Sequence, residues 1–233
     1  MVAAQKQGRY CAGLWWEEIR YSLCWTTGNH SSSRPNSYIA PSWSWASIMG
    51  SVIFPDTGNS IYFEAPQALD SVSIRDYQAI QRGSNQFGEI ECAWLELEAR
   101  LSPLFKVAFE GKRKYRNSNQ REYFSFDSRS GEEFLEVVFD VIEDPVDDCY
   151  ALFMMYASKK PERESWPMAH KSEGMQLSGL ILRPVLDQEK AFSQYNLPKR
   201  FSLYQRVGFF TLVTRQAKEK VLEMVPVTNI VLI

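Results

Sequence analysis

Hydrophobic and polar residues follow two different periods along this chain. Near the start, Leu14, Trp15, Ile19 and Leu23 fall close to helical spacing, with Glu17, Glu18 and Arg20 on other faces. That spacing predicts an amphipathic helix over 12–25, docked by its apolar stripe onto the downstream chain. The polar run 26–37 reads as a turn-rich loop. Its Arg34-Pro35 dipeptide fixes the end, because a proline ring excludes the helical conformation from the residue before it.

From Tyr38 onward the pattern changes to short apolar runs cut by Gly, Pro, Asn and Asp. These runs predict strands at 43–48, 51–54, 61–64, 72–75, 88–100 and 104–109. Further strands are expected at 122–126, 135–141, 150–156, 177–183, 207–214 and 221–230. In the first of them, Trp43 and Trp45 should share one face of an extended segment, since strand side chains alternate with period two. Polar loops are expected at 110–121 and 158–174, and a short helix within 187–199. The fold class is therefore mainly β, a β-sandwich or distorted barrel, with an N-terminal amphipathic helix and few short helices. We divide it into an N-terminal helix and loop, residues 1–37, and a β-rich domain, residues 38–233.

Composition narrows the classes. The 233 residues suffice for a substantial core. Aromatic residues at 14% favour sheet over helix. A net charge of −2 is wrong for a nucleic-acid binder or a polybasic membrane-surface protein. No run approaches the roughly 20 apolar residues that span a bilayer, and Glu17 and Glu18 interrupt any secretory signal. The four cysteines, Cys11, Cys24, Cys92 and Cys149, form no CxxC pair. Reduced thiols and a cytoplasmic location are the expectation.

Candidate chemistry is sparse. His30 and His170 are the only histidines, both in polar loops, and their spacing predicts no metal site. The acid pairs Glu17-Glu18, Glu132-Glu133 and Asp147-Asp148 read as solvated turns unless a cleft shifts their pKa. There is no GxSxG elbow, GxGxxG loop or P-loop. We therefore assign no catalytic residue and expect no cofactor. The basic stretch 112–116 reads as a solvated loop tip. Trp166, in a charged and proline-bearing loop, is the candidate for an exposed aromatic binding anchor.

One block is more specific. It reads YCAGLWWEEIRYSLCWTT from Tyr10, then RPNSYIAPSWSWASIMGSVIF from Arg34. This resembles the segment located after the HET (heterokaryon incompatibility) domain in filamentous-fungal proteins. The matching positions are Gly13, Leu14 and Trp15, then Arg34-Pro35, then Pro41-Ser42-Trp43-Ser44-Trp45-Ala46-Ser47. Later blocks around 87–97, 179–182 and 204–210 are similar too, the last contributing Arg206 and Gly208. We read these positions as structural. The HET domain itself is expected to lie outside this sequence. The resemblance implies a non-enzymatic accessory, regulatory or interaction module linked to non-self recognition, with a HET domain in cis or trans as its protein partner. Two other readings stay open: a small-ligand or carbohydrate-binding β-sandwich using Trp166, and a hydrolase using loop carboxylates.

Overall fold

The computed structural model describes residues 8–27, 32–54, 63–85, 87–106, 121–125, 135–141, 148–160, 174–214 and 218–233. The chain opens with a tight hairpin, β1 (Tyr10–Cys11) against β2 (Leu14–Trp15). Its turn residues Ala12 and Gly13 both have positive φ, 48° and 96°, the backbone sign that lets a two-residue turn match the twist of its strands. A 3-10 turn at Trp16–Glu18 leads into α1 (Ile19–Ser22). The helix expected over 12–25 is thus a single turn, because the left-handed backbone at 12 and 13 sends the chain into a hairpin instead. The apolar stripe is buried nonetheless: Leu14, Ile19 and Leu23 all lie inside the main core. Arg9 secures the hairpin to the body, lying over the rings of Trp16 and Tyr77 and donating to the Tyr77 carbonyl at 2.6 Å.

The expected strand at 43–48 is also absent. After β3 (Thr26–Thr27), which pairs with β4 (Val52–Ile53), the intervening chain folds at Pro41–Ser44 and enters a 3-10 turn, Trp45–Ser47. Short hydroxyl side chains explain this, since they satisfy nearby backbone groups that a strand would give to a neighbour. Ser44 Oγ accepts from the Ala46 N–H, and Ser47 Oγ donates to the carbonyls of Ser42 and Ser44. The two tryptophans consequently part. Trp43 is buried, whereas Trp45 is exposed and donates through its indole nitrogen to the Gly13 carbonyl at 2.9 Å.

The remaining strands are β5 (Gln67–Ala68), β6 (Ser73–Gln81), β7 (Ile90–Pro103), β8 (Phe105–Lys106), β9 (Arg121–Ser125) and β10 (Leu135–Phe139), then β11 (Tyr150–Ser158), β12 (Met175–Pro184), β13 (Ser202–Thr214) and β14 (Val227–Leu232). Five of these close a ring through the pairings β12–β11, β11–β7, β7–β14, β14–β13 and β13–β12. All are antiparallel except β13–β14. The mainly β fold is therefore a distorted barrel, with β6 added along β7 and a flap of β10, β9 and β8 extending from β13. Closure leaves the five ring strands without free edges along their paired lengths.

The short helix expected within 187–199 is present as α2 (Gln188–Tyr195), capped by the Asp187 carboxylate accepting from the Lys190 N–H. The strand expected at 221–230 instead divides into α3 (Lys218–Glu223) and β14. Arg100 explains the division: its Nη1 donates to the carbonyls of Leu222 and Val225 at 2.6 Å each, capping the helix end. One core joins Cys11, Leu14 and Leu23 to barrel residues such as Leu95, Phe153 and Phe210.

Close backbone approach dictates two glycines. A Cβ at Gly179 would overlap the Leu152 carbonyl oxygen, and one at Gly208 would stand 2.6 Å from the oxygen of Val138. Overpacking of this kind costs about 1–3 kcal/mol. For a chain of this length each kcal/mol lowers Tm by roughly 2–4 °C. Gly208→Ala should accordingly melt several degrees below the parent in a circular-dichroism scan, and an unchanged Tm would refute the close packing of β10 on β13.

Candidate functional site

Arg34, Ser42 and Trp43, three of the positions that carry the sequence resemblance, meet around a fourth, Arg206. Arg206 lies in the first half of β13, within the stretch LYQRVGFF. The register between β12 and β13 slips here, with Ile181 opposite Gly208 but Leu182 opposite Arg206. Such a bulge re-aims side chains, and it leaves Arg206 and Val207 both buried. The Arg206 side chain is 0% exposed and its partner Asp140, just past β10, 1%. The pair is bidentate: Nε meets Oδ2 and Nη2 meets Oδ1, each at 3.1 Å. Nη1 and Nη2 also donate to the carbonyls of Leu23 and Trp25. The guanidinium carbon stands 3.4 Å from the centre of the Trp25 ring system.

A second layer of hydrogen bonds surrounds this pair. Trp25 donates from its indole to the Trp43 carbonyl at 3.0 Å. Ser42 Oγ accepts from the Arg206 backbone N–H at 3.0 Å and donates to the Ile233 carbonyl. Arg34 reaches the Arg206 carbonyl at 3.2 Å. One buried ion pair thereby ties the segment after α1, the Pro41–Ser47 turns, β10, β13 and the end of β14. A buried guanidinium and carboxylate lose several kcal/mol of hydration each, which only matched donors and acceptors offset. Here the Asp140 oxygens and two backbone carbonyls provide the match. The environment suits a structural clamp rather than a reacting group, because no substrate can reach a fully enclosed pair.

Two surface concavities involve the N-terminal hairpin and α1. A groove of about 530 Å3 is lined by Gly13, Trp15, Glu18, Tyr21, Phe54 and Pro66, among others. Tyr21 and Phe54 are 39% and 44% exposed. Trp15 meets Tyr10 edge-on at 5.6 Å, which fixes the indole plane. On the other side of Tyr21, a smaller cleft of about 340 Å3 is lined by Trp16, Glu17, Arg20 and Ile74. Neighbouring exposed apolar side chains in the same N-terminal layer include Met49 and Ile53.

The predicted positions divide accordingly. Arg34, Ser42, Trp43 and Arg206 meet at the clamp, with Ser44 and Ser47 shaping the turns beside it. Gly13 and Trp45 form a separate clasp on the hairpin, Leu14 enters the core and Trp15 the groove. Pro35 and Ala46 are half-buried, Pro41 is buried, and Gly208 seats β10 against β13. Trp166 lies outside the described residues, as do His30, His170, Glu132, Glu133, Asp147 and 112–116. Asp148, Glu17 and Glu18 are exposed. Among the described residues, no three His, Cys, Asp or Glu side chains group so as to hold a metal ion, and no helix is long and apolar enough to cross a membrane. Sequence reasoning missed Asp140 and the role of Trp25. The available signal was Asp140 directly after the strand run LEVVF, with Arg206 inside a second strand run, LYQRVGFF.

Comparison with known protein families, curated proteins and solved structures returns no match.

Burial pushes the Cys24 thiol up to about 12, partly opposed by the Arg206 charge, and the Cys11 thiol up to about 11. Both thiols are buried and hydrogen-bonded to carbonyls, of Arg20 and Arg9 respectively. All four cysteines are free and buried. At pH 8 the folded protein should consume no dithionitrobenzoate, and should react with four equivalents in guanidinium chloride; rapid labelling of the native chain would contradict the packing. For the clamp, Arg206→Ala or Asp140→Asn should each cost about 3–5 kcal/mol in urea unfolding, since either strands a buried polar partner. The double variant Arg206→Met with Asp140→Leu should recover part of that loss only. The Leu23 and Trp25 carbonyls would stay unpaired, at about 1–3 kcal/mol each.

Proposed function

We propose that this chain is a non-enzymatic accessory module of a heterokaryon-incompatibility protein, an interaction unit whose partner is a HET domain acting in non-self recognition. The observation that carries the reading is the aromatic groove formed by Trp15, Tyr21, Phe54 and Pro66 on the N-terminal layer. That layer contains the AGLW and APSWSWAS segments on which the resemblance rests. The buried clamp holds it against the barrel, so the groove is presented on a fixed support. Rigid aromatic anchors bury a large area at little conformational cost, which is why they dominate binding energy at protein interfaces.

The concavity of the same groove favours a second reading, a small-ligand or carbohydrate site. Stacking on Tyr21 and Phe54 would carry it. Its volume falls in the range of about 300–1,000 Å3 that such ligands fill.

Calorimetric titration separates the two. The probe is a recombinant HET domain from a fungal protein that carries an APSWSWAS segment of its own. Micromolar binding to the whole chain is expected, weakened at least tenfold in Tyr21→Ala and Phe54→Ala variants that keep the parent Tm. No heat with the HET domain, together with a thermal shift in a glycan or metabolite panel, would overturn the first reading in favour of the second.

A further inference from the structure

We propose that Arg9 and Asp76 together plug the open edge of β6, and that without the plug a second copy of this chain pairs with that edge. Among the described residues, β6 has a strand on one side only, β7. A strand open on one side offers backbone N–H and C=O groups to any extended segment, including its own counterpart in another copy.

The groups at stake can be named. Along an antiparallel pair, residues alternate between turning both backbone groups toward the neighbouring strand and turning both away. The β6–β7 register is unbroken from Asp76 to Ile80, and it slips after Ile74 and again after Ile80. Such slips interrupt regular pairing, so the template on this edge is the short window between them. Within the window Tyr77 is turned outward. Its carbonyl accepts from Arg9 Nη2 at 2.6 Å, and its N–H donates to Asp76 Oδ1 at 2.7 Å. By the same alternation Ala79 is turned outward too.

The window admits a two-fold pairing centred on Gln78. In that register Tyr77 lies opposite Ala79 of the second copy, Gln78 opposite Gln78, and Asp76 opposite Ile80. No like charges meet, and Gln78 and Ile80 are exposed. Each of the two Tyr77–Ala79 pairs would exchange an N–H···O bond in both directions. Every one of those bonds uses the N–H or the C=O of a Tyr77, and the plug occupies both groups. One half of the plug is local, since Asp76 precedes the residue it serves. The other half comes from the N-terminal segment, where the Arg9 guanidinium lies 4.9 Å from the Trp16 ring centre and 5.3 Å from that of Tyr77.

Sedimentation velocity on the full chain, from micromolar to submillimolar concentration, tests the proposal. The parent and its Ala79→Pro variant should sediment alike, because the edge is closed in both. Arg9→Met keeps an apolar stem over the two rings but loses the donor, and Asp76→Ala frees the Tyr77 N–H. Each should add self-association at the top of the range, and the double variant should add it at concentrations at least tenfold lower. Ala79→Pro deletes an outward N–H and spares the β6–β7 ladder, so it should abolish the added association in the double variant. Melting curves and near-ultraviolet circular dichroism check that each variant is folded. A folded double variant that sediments like the parent would overturn the proposal, as would added association that survives Ala79→Pro. A parent dimer that Ala79→Pro dissolves would overturn it too, since the edge would then be open. Should Arg9→Met not fold, Asp76→Ala decides alone, and parent-like sedimentation of that folded variant sinks the plug.

Discussion

One buried ion pair joins the segment after α1 and the Pro41–Ser47 turns to the barrel. A guanidinium and a carboxylate enclosed in an apolar interior are tolerable only if each hydrogen-bonding direction is met, and Arg206 meets that demand with groups from distant parts of the chain. Asp140 closes the fork, while the carbonyls of Leu23 and Trp25 take the other donors. The geometry leaves little freedom to any of them. Moving the segment after α1 would strand two donors of a buried cation, so the chain's early residues are held to β13 by an electrostatic requirement as well as by area. The Pro41–Ser47 turns share this constraint through Ser42 and the Trp43 carbonyl, whereas Arg9 and Trp45 hold the hairpin separately.

Ring closure supplies the complementary rigidity. β7, with 14 residues, changes partner along its length, running beside β6 first and β11 later while β14 lies along its other side. β13 does likewise, pairing with β14 and then β10. These partner exchanges let one continuous sheet curve into a barrel and still extend a flap. The register slip opposite Arg206 belongs to the same bending, and it is what turns that side chain inward. Barrel curvature and the clamp are therefore two consequences of one irregularity in β13.

The proposed role rests on a division of labour between these parts. Polar side chains named by the resemblance are largely consumed in building the support, and the outward groove is made of rings. The proposed interaction role draws on both, a rigid support and an apolar groove. Cys24 belongs to the support. Its thiol is raised by burial and shielded, the reverse of what a nucleophile requires.

Much of the barrel was legible in the sequence. The strands at 88–100, 135–141, 150–156, 177–183 and 207–214 announce themselves through local apolar runs, and the structure extends or trims their ends. Helix α2 was legible too, through Asp187 and the polar run after it. The loop expected from residue 26 begins instead with β3, paired to a strand far along the chain, and larger departures at 12–25, 43–48 and 221–230 each have a nonlocal or side-chain reason. Helical spacing at 12–25 was overruled by the left-handed backbone at Ala12 and Gly13, which Trp45 stabilises from thirty-odd residues away. Alternation at 43–48 was overruled by serine hydroxyls that bonded their own backbone. The apolar run at 221–230 was split by Arg100, whose cap lies on another strand. What the sequence determined by itself was the β class, the core strands and the inward-facing apolar positions, because burial of apolar surface is read residue by residue. Which groups complete a buried charge and where the rings of Trp15, Tyr21 and Phe54 converge were decided by tertiary structure alone, since both depend on contacts between residues far apart in the chain.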